Sequence, residues 1–179
     1  AIDPVHGGPR TPEELAAAMA GAPENKRGLG PGLFFARDLT ERTGRPIGLV
    51  PCAHGGTSME EWSPARRDEG GESLYGSMFR RFQEAGGAAR GVLWYQGESD
   101  TRPGQSEDYE QRFIDFIAAV RRDLGNPELP FIYVQIGRFT RTPVQRLWDR
   151  VQDAQVRVEE AVENVALAAA VDLTLDDPI

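Results

Sequence analysis

The sequence predicts an α/β fold in which a parallel sheet carries helices on both faces. Three observations lead there. Short apolar runs of about five residues recur along the chain. Helical patterns separate them, and glycine, proline or asparagine clusters stand at the junctions. Strands that alternate with helices pair in parallel, because each crossover returns the chain to the same edge. Right-handed crossovers then place the helices against the sheet. The length of 179 residues fits one domain, 1–179, with no internal repeat.

The elements follow in order. The first 30 residues read as loop, punctuated by Pro4, Gly7, Gly8, Pro9, Gly21, Pro23, Gly28 and Gly30. One short helix signal lies inside them, with Thr11 as cap, Pro12 in the first turn and Glu14 at capping-box spacing. Leu33 to Thr43 reads as a helix closed by Gly44, and Ile47 to Pro51 as a strand. Leu74 to Ala85 is helical, with Leu74, Met78 and Phe82 on one stripe, and Gly91 to Tyr95 is a second strand. From Glu107 to Leu124, Tyr109, Phe113, Phe116, Ile117 and Val120 keep the 3.6-residue period, and Gly125-Asn126-Pro127 stops the helix. Phe131 to Gln135 is a third strand. Thr142 opens a helix running to about Glu163, and Val165 to Val171 is the last strand.

Composition narrows the function. The net charge is -8, which disfavours a nucleic-acid partner, since phosphate contacts need cations. No apolar run is long enough to span a membrane. Cys52 is the single cysteine, so neither an internal disulfide nor a multi-cysteine zinc site can form from this sequence. Cys52 reads as a small buried hydrophobe, and the Arg66-Arg67-Asp68-Glu69 run as a solvated face.

Parallel sheets bind ligands beyond the carboxyl ends of their strands. There the chain places Cys52-Ala53-His54-Gly55-Gly56-Thr57-Ser58, Gln96-Gly97-Glu98-Ser99-Asp100, Gly137-Arg138, and Asp172 with Asp176-Asp177. Glycines, amides and carboxylates therefore gather on one edge. No G-x-S-x-G elbow, phosphate-binding P-loop or H-E-x-x-H motif is present. A Ser58/His54 pair is conceivable. Gly55-Gly56-Thr57-Ser58 is also a weak candidate for the phosphate loop of a flavin-binding or signalling domain.

The strings Gly48-Leu49-Val50-Pro51-Cys52-Ala53-His54-Gly55-Gly56-Thr57-Ser58 and Trp94-Tyr95-Gln96-Gly97-Glu98-Ser99-Asp100, followed by Asp172 to Ile179, resemble the SGNH hydrolase superfamily. Within it they resemble the sialate O-acetylesterase and acetylxylan esterase branch, similar to carbohydrate esterase family 6. The resemblance implies a flavodoxin-like three-layer α/β/α fold. It also implies a serine esterase that removes acyl groups, acetyl foremost, from carbohydrate hydroxyls without metal or organic cofactor. An extracellular or periplasmic setting goes with it. Carried onto this chain, Gly56 or Gly55 resembles the oxyanion glycine, Gln96 the oxyanion amide, Asp177 the triad aspartate and Glu98 an organising carboxylate. Trp62 and Arg138 are candidates for substrate binding, by stacking on a sugar ring and by meeting an acidic group.

The family's nucleophile turn, G-Q-S-N, is not in the sequence, and its histidine would fall just past Ile179. The expectation is therefore a domain incomplete at both ends, lacking the first strand and the final segment. A missing segment or a second chain would complete the sheet. The alternative is a carbohydrate-binding domain on the same fold that has lost catalysis.

Overall fold

The computed structural model describes residues 30–139 and 145–173. Four α-helices and three parallel strands alternate within them: α1 Pro31–Thr43, α2 Leu74–Glu84, β1 Val92–Tyr95, α3 Tyr109–Asp123, β2 Phe131–Val134, α4 Gln145–Ala161 and β3 Val165–Ala168. The strands lie in the order β1-β2-β3, with Val92 opposite Phe131 and Phe131 opposite Val165. Each predicted helix and strand in this span is present to within a few residues, except one. Ile47 to Pro51 forms no ladder. An apolar run becomes a strand only when a neighbour takes its backbone groups. Among the described residues no strand pairs with it; the Arg81 guanidinium donates to the Pro51 carbonyl instead, and Leu49 and Val50 stay 47% and 46% exposed. The helix signal at Thr11–Glu14 and the helix start at Thr142 lie outside the described residues.

The sheet has one covered face. Phe131 and Tyr133 alternate with Ile132 and Val134, so the two aromatics point together. Against them α3 sends Phe113 and Phe116, whose rings meet Tyr133 edge-on at 5.0 Å and Phe131 at 6.2 Å. Helix α4 packs beside α3 on the same face with Val151 and Val158 fully buried, as two successive right-handed crossovers require. The opposite face, with Ala166 and Ala168, is open among the described residues, which assemble two of the three expected layers.

Short 3₁₀ stretches were not foreseen at Pro64–Glu72, where Gly70 at φ +56° breaks the run in two, and at Glu98–Asp100. The first contains the arginine run expected to be merely solvated. Arg67 instead reaches Asp123 at the end of α3 (3.2 Å), where Tyr75 of α2 also donates (2.8 Å). The Asp123 side chain is 2% exposed. Burial pushes its carboxyl upward. Hydrogen bonds from Arg122 and Tyr75, with the charges of Arg122 and Arg67, outweigh that and hold it below the ordinary carboxylate range. This cluster fixes the segment that follows the Cys52–Ser58 turn against the same helix that supports the sheet.

Candidate active site

At the carboxyl end of β1 a cleft of about 280 Å³ opens between two turns. His54, Gly55, Gly56 and Thr57 form one wall, and Tyr95, Gln96, Glu98 and Ser99 the other. The structure thus brings together four predicted site residues, Gly55, Gly56, Gln96 and Glu98. A larger groove, about 570 Å³, runs between α3 and α4. It lies away from the strand ends, and its acids and bases pair across it, Glu107 with Arg150 and Glu110 with Arg157.

The glycine turn is held from below. Thr57 donates its hydroxyl to the His54 carbonyl (2.9 Å) and accepts from the Trp62 indole (2.9 Å). Trp62 is 3% exposed and stacks edge-on against Trp94 at 5.1 Å. This corrects the expectation of a sugar platform. The ring's apolar area is spent on the core, and its N–H props up the turn. Ser58 is also buried, and it donates its N–H and hydroxyl to the Glu61 carboxylate (2.8 and 3.0 Å), which ties down the turn's end. That bond and that burial leave the Ser58/His54 pairing without support. Gly56 sits at φ +75°, and no described residue accepts from the Gly55 or Gly56 N–H.

The second wall is built on a carboxylate the sequence reading left without a role. Asp100 is fully buried and accepts from the Met59 N–H (3.0 Å) and from the Gln96 amide. Gln96 also donates to the Thr57 carbonyl (3.0 Å). One amide hydrogen thus joins the two walls and the other braces the second wall from within, and its own Oε1 is buried without a partner among the described residues. Burial pushes the Asp100 carboxyl up, against the opposing effect of Gln96 and Met59. Burial likewise raises Glu98, opposed by the Glu98 and Gly97 N–H groups and reinforced by the charge of Asp100. A carboxyl facing the cleft is therefore held closer to neutrality than a free one.

The remaining predicted residues lie elsewhere. Arg138, at the end of β2, is exposed and donates to the Leu173 carbonyl (3.0 Å), outside the cleft lining. Asp177 lies outside the described residues. Cys52 is partly buried beside Arg81; burial raises its thiol and Arg81 opposes that. Among the described residues no helix is long and apolar enough to cross a membrane.

A parallel sheet with a glycine turn and an amide–carboxylate turn facing each other at its carboxyl edge defines an α/β protein with a candidate site at its strand ends, and comparison with known proteins gives the family. The sequence profile of the family described as carbohydrate esterase, sialic acid-specific acetylesterase, matches residues 7–179, and the chain belongs to that family. A probable carbohydrate esterase of Arabidopsis thaliana is 42% identical over 116 residues, which are 61% of this chain and 42% of that protein. A solved carbohydrate acetylesterase from Xanthomonas citri superposes with a TM-score of 0.70 at 28% identity, over 80% of this chain and 34% of that one. A solved Arabidopsis thaliana protein superposes equally well, at 0.70 and 37% identity, over 84% of this chain and 59% of that one. The chain thus spans from about a third to three-fifths of the length of these relatives.

Proposed function

We propose that the cleft is part of the acyl-transfer site of a serine esterase that removes acetyl groups from carbohydrate hydroxyls. One observation carries this reading: the Gly55-Gly56 turn and the Gln96–Glu98 turn share one cleft at the carboxyl end of β1. A serine from outside the described residues attacks the ester carbonyl. Its proton passes to a histidine that Asp177 orients, and the carbonyl oxygen takes up negative charge. The N–H of Gly56 or Gly55 meets that oxygen, with the Gln96 amide as second donor, and donors fixed in advance stabilise it at little reorganisation cost. For the amide to do so, it must release the Thr57 carbonyl. Collapse expels the sugar alcohol, and water then cleaves the acyl-serine. Glu98 organises the turn, and Arg138 contacts an outlying part of the glycan. The resemblance and the acetylesterase relatives support the substrate class.

The same reading accounts for the edge of the sheet. In it, a parallel strand bearing the nucleophile pairs with β1 beside residues 47–51, where Leu49, Val50 and Tyr95 are about half exposed.

The test is intact-mass spectrometry of the full natural protein before and after a fluorophosphonate, with hydrolysis of acetylated xylan and of an O-acetylated sialic acid. One adduct and turnover of either ester are expected. A folded protein that binds acetylated glycans with neither adduct nor turnover would make it a binding domain instead.

A further inference from the structure

Helix α4 carries a polar stripe where an apolar one would be ordinary. Trp148, Gln152 and Gln155 recur at spacings of four and three, so they share one face. All three reach backbone groups just beyond the strands. Trp148 donates to the Gly137 carbonyl (2.7 Å), and Gln152 to the carbonyls of Ile136 (2.9 Å) and Gly137 (3.0 Å). Gln155 reaches two exits at once. Its Oε1 accepts from the Ile136 N–H (2.9 Å) after β2, and its Nε2 donates to the Gln96 carbonyl (3.0 Å) after β1. Its remaining hydrogen goes to the Tyr109 hydroxyl (3.1 Å), which itself donates to the same Gln96 carbonyl (3.1 Å).

Gln155 is fully buried, and a buried amide is costly unless its hydrogen bonds are made. Here both hydrogens and the oxygen are used. The packing is equally closed. A Cβ on Gly97 would stand 3.2 Å from Gln155 Nε2 and 2.8 Å from Ile136 Cγ2. The turn that carries Glu98 therefore rests directly on this amide.

We propose that Gln155 is a positioning residue for the esterase site. By holding the Gln96 carbonyl together with Tyr109, it sets where the Gln96–Glu98 wall stands against Gly55 and Gly56. It touches neither substrate nor reacting atoms. The proposal rests on the esterase reading above.

The experiment compares the full natural protein with Gln155→Met, which fills similar volume without the three hydrogen bonds, and with Tyr109→Phe, which removes one hydroxyl. Sites are counted with the fluorophosphonate, and kcat and KM for an acetyl ester are measured per counted site. A misplaced wall lowers kcat per site by about 10- to 100-fold for Gln155→Met, with KM within about twofold, since small displacements cost rate steeply. Tyr109→Phe should lower kcat per site in the same sense by a smaller factor, and it decides alone if Gln155→Met does not fold. A purely structural role would lower the melting temperature and the number of active sites but leave kcat per site unchanged, and that result overturns the proposal. A folded wild type that neither labels nor hydrolyses overturns the esterase reading, and this role with it.

Discussion

Gln96→Ala separates the bracing that the geometry shows for this amide from the oxyanion role proposed for it. The substitution removes the bond to the Thr57 carbonyl and the bond to Asp100. A hydrogen bond to a neutral carbonyl contributes about 0.5–1.5 kcal/mol net, and one to a charged group about 1.5–3. Stability should therefore fall by about 2–4.5 kcal/mol, with Asp100 left on the Met59 N–H alone among the contacts described above. Catalysis is a separate matter. If the amide turns from Thr57 to the oxyanion in the transition state, its loss costs about 10²–10³-fold in kcat. The assay is acetyl-ester hydrolysis per fluorophosphonate-counted site, held well below the variant's melting temperature, with urea unfolding of the same sample. Loss of stability with unchanged kcat per site would remove Gln96 from the oxyanion hole and leave it as a brace between the walls.

Three further outcomes follow from the same contacts. Gly97 lies at φ +153° with no room for a Cβ, so Gly97→Ala should lower the unfolding free energy by at least about 1–3 kcal/mol; an unchanged urea midpoint would mean the turn relaxes freely. Trp62→Phe should lower stability by about 1 kcal/mol or more, through the lost bond to Thr57, yet leave KM for a carbohydrate ester alone. A large rise in KM would put the ring in the binding site after all. For Asp123 the folded carboxyl lies below its unfolded value, so its contribution is present above about pH 4 and is lost as pH falls through the folded value. The melting-temperature gap between wild type and Asp123→Asn should close on acidification, and a gap independent of pH would contradict the pairing.

What the sequence revealed depended on how local the cause was. Helix α3 was legible because Phe113, Phe116, Ile117 and Val120 declare one face by spacing alone, and that face is the one that meets β2. The run 47–51 has strand composition, but a ladder is made by two segments and composition speaks for one. Trp62 shows the same limit. A tryptophan after a glycine turn can face a sugar or a core, and only the three-dimensional neighbours, Trp94 and Thr57, decide. Asp100 was visible at the end of the W-Y-Q-G-E-S-D string, but its bond to the Met59 N–H spans 41 positions. Gln155 merely interrupts an apolar stripe, which sequence reading takes as a helix edge. Tyr109 was counted for its ring, while its hydroxyl does the positioning.

The distribution of backbone partners bears on the proposed placing of an acyl-transfer site. Where a strand ends, its ladder ends too, and each carbonyl and N–H beyond it needs a new partner. Around this cleft most of those groups are provided for internally. The Gln96 carbonyl has two buried donors, the Ile136 and Gly137 carbonyls have Gln152 and Trp148, the Thr57 carbonyl has Gln96, and the Ile136 N–H has Gln155. Across the cleft, the backbone N–H groups of Ala53 to Thr57, Gly55 and Gly56 among them, have no acceptor among the described residues. Such donors on a rigidly propped turn favour an incoming oxygen that gains negative charge, because little must be broken to receive it. The surrounding side chains satisfy the carbonyls and leave donors free. That polarity suits an oxyanion and would repel nothing in a neutral ester on its way in.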